Sequence, residues 1–303
     1  MGSGLRAVAA LCRPFTLLPP ALGFASGAVT AAGAEPSIPF SSDVLLHAGI
    51  GTVMAAVLNA ASNALNQIFD LEIDRLNKPE RPLPSGRMTL RTAWTWTMTL
   101  YAVALGLAWL VAPGGRRDCF WIVVVAAAFT VLYSAPPART KRFGLLANLT
   151  IAIPRGVLLK VAGWAAVKPA LTLEPWFIGG IFGLFLLGAS TTKDFADMPG
   201  DARAGCRTLP VVYGVRRAAW IVAPFFVLPF ALISAGAAAG ILTGHLLALQ
   251  LLAVVLSVYG LFVCALMLQR PEALAAERNH PSWAHMYWMM LLAQAGFAAA
   301  YLL

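Results

Sequence analysis

Apolar stretches of about 20 residues recur along the whole chain, and a bilayer is the solvent such stretches need. Nine can be read, near residues 15–32, 44–68, 92–112, 119–135, 145–166, 176–192, 218–237, 242–267 and 283–303. Charged residues make up only 12% of the sequence, against roughly a quarter in a soluble domain. The expectation is an all-α integral membrane protein, multi-pass, with one transmembrane domain over residues 1–303. Pro154, Pro224 and Pro229 fall inside apolar stretches, where neighbouring helices or a polar cavity must satisfy the freed carbonyls. A net charge of +9 points to nucleic acid in a soluble chain. Here the basic residues sit between apolar stretches, so membrane lipid and an anionic small molecule are the expected partners, and nucleic acid is not.

Lysine and arginine are unevenly placed. The N-terminal segment and the loops after the second, fourth, sixth and eighth stretches hold 17 of them, and the other loops hold 3. The positive-inside rule then predicts a cytoplasmic N-terminus and an outside C-terminus. Arg6 and Arg13 precede an apolar run too long for a signal-peptide core. Met1-Gly2 fails as an acylation motif because residue 6 is arginine.

Chemistry is concentrated in two segments, both on the predicted cytoplasmic side. From Asn63 to Gly86 the chain reads NALNQIFDLEIDRLNKPERPLPSG. Asn66, Asp70 and Asp74 recur at four-residue intervals, which puts three oxygen-bearing side chains on one helical face. Acids at the end of a membrane helix are costly unless a cation or a basic partner offsets them. Oxygen-only ligands suit Mg²⁺, which is commonly held by one or two carboxylates together with substrate phosphates. Lys78 and Arg81 are candidates to hold those phosphates. From Lys193 to Gly214 the chain reads KDFADMPGDARAGCRTLPVVYG. Asp194, Asp197 and Asp201 share a face if the helix continues past Met198-Pro199-Gly200, which proline and glycine make doubtful. Each segment ends in a similar tail, RPLP and RTLP. Two such segments suggest two halves of one site, with Lys193 beside the second.

Arg155 and Lys160 lie inside an apolar stretch, and an intramembrane cation is a functional candidate by default. Arg155 is expected to line a cavity, while Lys160 is equally compatible with a structural role. Tyr133 precedes a basic run of Arg139, Lys141 and Arg142. Trp94, Trp96, Trp109, Trp283 and Trp288 read as an interfacial belt. The histidines share no ligand spacing with any carboxylate, and Cys12, Cys119, Cys206 and Cys264 have no metal-ligand spacing.

The two acid-rich segments resemble the paired motifs of the UbiA family of intramembrane prenyltransferases. NQIFDLEIDR is similar to the family's N-x-x-x-D-x-x-x-D, and KDFADMPGDAR to its D-x-x-D-x-x-x-D. The resemblance implies nine transmembrane helices around a central cavity open laterally to lipid. It implies that Asn66, Asp70, Asp74, Asp194, Asp197 and Asp201 bind Mg²⁺ and a prenyl diphosphate. Family members carry a lysine four positions after the tyrosine matched by Tyr133. This chain has Pro137 there, so Arg139 or Lys141 must supply the cation. KRFGLLANLTIAIPRGVLL resembles the homogentisate branch, whereas YSAPP also recurs in chlorophyll synthases and archaeal ether-lipid enzymes.

The expected activity is therefore Mg²⁺-dependent prenyl transfer. Asp70, Asp74, Asp194 and Tyr133 are placed at the reaction, and Asn66, Lys78, Arg81, Lys141, Arg155 and Lys193 on the diphosphate. An aromatic quinone- or tocopherol-type acceptor is expected first. Geranylgeranylglyceryl phosphate and a chlorophyllide-like ring are the alternatives, and no obligatory protein partner is evident. A secondary transporter is the rival of another class, since intramembrane acids also occur there.

Overall fold

Local signals set where the helices begin. The Ser41 hydroxyl accepts the N–H of Val44, the Thr89 hydroxyl that of Thr92 and the His280 ring that of Ser282. Each cap satisfies a donor that the first helical turn leaves open. The computed structural model describes residues 3–276 and 280–303. Met1 and Gly2 lie outside the described residues, as does Arg278, one of the loop cations counted above.

The principal helices are α1 (Ser3–Cys12), α2 (Leu18–Gly33), α3 (Ser42–Phe69), α4 (Leu71–Asn77), α5 (Leu90–Leu110) and α6 (Asp118–Ser134). They continue as α7 (Gly144–Ala165), α8 (Leu173–Arg203), α9 (Val215–Ala238), α10 (Leu246–Gln269) and α11 (Pro281–Leu302). There is no strand among the described residues. Every predicted apolar stretch coincides with a helix, to within a few residues at most ends.

Not all of these helices have the length and apolarity to cross a bilayer. Six do: α3, α5, α7, α8, α9 and α10. A seventh crossing is reached if Gly4–Thr16 and α2, bent by 50°, form one span. The 17-residue α6 is apolar but short. The 22-residue α11 is long enough, but Trp283, His285, Trp288 and Gln294 dilute its apolarity. The expected nine crossings are thus six or seven on length and composition alone.

The long helices form a ring. Each packs on the next, and α11 closes the ring against α2. Across it, α2 also packs closely on α7. Glycines permit that approach: a Cβ at Gly27 would lie 2.7 Å from the Lys160 carbonyl oxygen, and one at Gly163 would lie 2.3 Å from that of Phe24. Small residues that let backbones touch are how membrane helices pack without a hydrophobic drive between them. The α2–α7 contact fills the bundle centre at one end and leaves a cavity at the other.

Candidate active site

The two acid-rich segments meet at the open end of the ring. The segment boundary in the first falls at Asp70, which links α3 to α4 with φ −99° and ψ 10°. The hydrogen-bond ladder nonetheless runs through it: the Asp70 N–H donates to the Asn66 carbonyl at 2.9 Å and the Asp74 N–H to that of Asp70 at 2.7 Å. Asn66, Asp70 and Asp74 therefore stay on one side, and all three line a cavity of about 540 Å³.

The second segment differs from expectation. Met198-Pro199-Gly200 does not end the helix, and Asp194–Arg203 is helical with Pro199 inside it. Pro199 lies in the interior of this stretch, where its missing N–H forgoes the ladder bond to the Phe195 carbonyl. Gly200 serves a close approach: a Cβ there would lie 2.0 Å from the side-chain nitrogen of Asn77 at the end of α4. Asp194, Asp197 and Asp201 line the same cavity as the first three residues.

Basic side chains hold the acids apart from one another. The Lys141 ammonium pairs with Asp70, and Arg139 donates to the Phe69 carbonyl at 2.7 Å and to Asp70 at 3.4 Å. One Arg81 nitrogen donates to both Asp74 oxygens, at 2.8 and 2.6 Å. Lys78 donates to both oxygens of Asp197 at 3.2 Å, and Lys193 stands 3.9 Å from Asp194. Asp70 and Asp74 are 5% and 4% exposed, so their partners offset a real desolvation cost. Burial raises the Asp74 carboxyl above its ordinary range, and Arg81 opposes that rise. Burial lowers the Lys78 ammonium, and Asp197 opposes it.

Tyr133, Lys141 and Arg155 also line the cavity. Pro137 carries no cation, and Lys141, with Arg139 at longer range, reaches Asp70 from the loop after α6. Arg155 stands in a π-helical stretch, Ile153–Leu158, where Pro154 interrupts the α-helical ladder. Such bulges often mark functional positions. The Arg155 side chain is exposed into the cavity, and no hydrogen bond or ion pair ties it among the described residues. Lys160 is different. It is buried away from the cavity, donates to the Ser26 hydroxyl at 2.8 Å and lies 4.5 Å from the centre of the Phe182 ring.

Sequence reasoning passed over Arg13, which lines the cavity, and gave Arg139 only half a role. These are the two non-glycine residues with positive φ among the described ones, at 56° and 36°. Left-handed backbone at a non-glycine residue is costly and clusters at functional sites. Nothing in a lone sequence marks it.

Among the described residues, no three histidine, cysteine, aspartate or glutamate side chains stand close enough to hold a metal ion by themselves. The donor set is six oxygen-bearing side chains and several cations around one cavity. It suits a hard cation that takes one or two carboxylates and completes its shell with phosphate oxygens.

A model of the UbiA prenyltransferase family matches residues 17–291. The chain belongs to that family. This UbiA-family chain is 32% identical to the bacteriochlorophyll synthase 34 kDa chain of Chloroflexus aurantiacus, over 95% of its own length and 89% of the relative's. It is 31% identical to the digeranylgeranylglyceryl phosphate synthase of Methanopyrus kandleri, over 69% and 70%. A solved UbiA homologue from Archaeoglobus fulgidus, bound to GPP and Mg²⁺, shares the fold with a TM-score of 0.74 over 98% of this chain and 100% of that one, at 20% identity. The chain is accordingly an enzyme of the prenyltransferase class within a multi-pass membrane fold, and the transporter reading is set aside.

Proposed function

We propose that this protein transfers a prenyl group from a prenyl diphosphate to a lipid-soluble acceptor, with Mg²⁺ as cofactor. The observation that carries the proposal is the convergence of both acid segments and their basic partners on one cavity. Asn66, Asp70, Asp74, Asp194, Asp197 and Asp201 would hold the metal. When bound, it neutralises charge on the departing diphosphate.

The chain's own residues do the rest. Lys78, Arg81, Lys141 and Lys193 now stand within 4 Å of carboxylates and offset part of their charge before the donor arrives. On donor binding they turn to the phosphate oxygens, where charge-assisted hydrogen bonds are strong in a site shielded from water. The C–O bond of the donor breaks and its electron pair leaves with the diphosphate. A nucleophilic atom of the acceptor then bonds to the first carbon of the chain and loses a proton. Burial keeps water from quenching the allylic cation. Tyr133 lines this region, where it would stand beside the bound donor.

The acceptor we favour is a glyceryl phosphate lipid, with a chlorophyllide-like ring as the second reading. The names of the two relatives above carry these acceptors and not the quinone-type precursor expected first. Arg13 and Arg155 support an acid-bearing acceptor, since both are cations on the cavity wall with no ion pair to a carboxylate among the described residues. We place the acid-lined mouth at the cytoplasmic face, with nine crossings and a side opening through which the acceptor enters from lipid. The deciding experiment gives purified protein geranylgeranyl diphosphate, Mg²⁺ and one acceptor of each kind, with product mass as the readout. A prenylated glyceryl phosphate that disappears with EDTA is the expected result. Release of no diphosphate with any acceptor would reject the proposal.

A further inference from the structure

Away from the acids the cavity continues into a narrow, almost wholly apolar branch. Pro20, Asn59, Thr130 and Leu159 line both parts. One or two turns further along the same four helices stand Phe24 on α2, Met54 on α3, Val123 on α6 and Ala162 on α7, and these line the branch alone. On α3, α6 and α7 alike the step leads away from the end that carries the acids. Asp70 and Met54 are separated by sixteen residues of α3, or about 24 Å at 1.5 Å per residue.

The branch is blind at its far end. Phe24 is 0% exposed and Met54 1%. Both belong to one buried cluster with Cys119, Ala165 and Ala166, at the α2–α7 contact that fills the bundle centre. Phe24 owes its position to Gly51. A Cβ at residue 51 would lie 2.1 Å from the ring atoms Cε1 and Cζ, so the missing side chain lets the ring lie back against α3.

We infer that Phe24 and Met54 are a stop that measures the prenyl chain, so that this enzyme selects its donor by length. The inference rests on the prenyl-transfer reading above. A donor anchored by its diphosphate at Asp70 and Asp74 runs its tail down the branch, along the bundle. A chain of a few isoprene units ends against Phe24 and Met54. A longer one meets close-packed side chains, which do not yield without displacing the cluster behind them.

Competition among geranyl, farnesyl, geranylgeranyl and solanesyl diphosphates tests this, with product masses giving relative kcat/KM. The wild-type protein is expected to show a sharp optimum, with solanesyl diphosphate on the order of tenfold or more below the best donor. Met54→Ala and Phe24→Ala are expected to move the optimum to a longer chain. Gly51→Ala, which pushes the Phe24 ring into the branch, is expected to move it to a shorter one. Opposite shifts cannot come from a general loss of stability, and Met54→Ala with Gly51→Ala carries the test if Phe24→Ala fails to fold. Active variants with the wild-type length profile, or a wild type indifferent to length, overturn the stop. A wild type that consumes no donor overturns the prenyl-transfer reading itself, and the stop with it.

Discussion

The Lys78 ammonium lies 3.2 Å from both carboxylate oxygens of Asp197 and so ties together two acid-rich segments that are 119 residues apart in the chain. The side chains are 32% and 25% exposed. Partly solvated pairs of this kind contribute roughly 0.2–1 kcal/mol. The contact is better explained as a way of keeping a phosphate-binding cation at the mouth of the site. Lys78→Met is therefore expected to leave the thermal midpoint within a degree or two and to raise the KM for the prenyl diphosphate about tenfold, as expected for the loss of roughly 1.4 kcal/mol of binding. A large fall in the midpoint with an unchanged KM contradicts this assignment.

Asp70 gives a different outcome because it is buried against Lys141 and Arg139. Asp70→Ala leaves two cations facing each other with no counter-charge, a loss of about 3–5 kcal/mol for a buried pair. Turnover and thermal midpoint should both fall. Asp70→Ala with Lys141→Met should recover most of the midpoint and none of the turnover. Recovery of turnover in the double variant would show that Asp70 has only a structural role.

Asp194 has a weaker partner, Lys193 at 3.9 Å. Asp194→Ala is expected to abolish prenyl transfer while the protein stays folded, as judged by an unchanged elution profile and helical circular dichroism. Normal activity in this variant would remove the second segment from the site.

Donor and metal should stabilise the protein only together, because among the described residues no three acids stand close enough to hold a metal ion by themselves. A prenyl diphosphate at a hundred times its Kd is expected to add about 2.7 kcal/mol in the presence of Mg²⁺. With EDTA the gain should largely disappear, and differential scanning fluorimetry reads both arms. An equal gain without metal would mean that the basic residues bind the donor unaided.

The α2–α7 contact predicts a stability effect remote from the chemistry. At Gly27 a Cβ would meet the Lys160 carbonyl oxygen at 2.7 Å, and backbone does not move aside cheaply. Gly27→Val is expected to cost on the order of 1–3 kcal/mol through overpacking. Gly180→Ala, where nothing lies within 4 Å of the added carbon, is the control and should be neutral. Equal midpoints for the two variants would refute the close-contact account.

Much of this was legible in the chain by itself. Hydrophobic runs mark every long helix, because a segment in lipid must satisfy its own backbone bonds and can do so locally. The intervals from Asn66 to Asp74 and from Asp194 to Asp201 survive as two lined walls, because helical periodicity is a local property. Other features required the tertiary structure. Which cation answers which acid depends on distances between segments, and so Lys141 and Arg139, not a residue four places after Tyr133, reach Asp70. Pro199-Gly200 reads locally as a stop, whereas in the fold Gly200 makes room for Asn77. Arg13 gains meaning only from the cavity it shares with Arg155. The blind apolar branch exists only where four helices from distant parts of the chain lie side by side, and packing of that kind leaves no trace in any one of them.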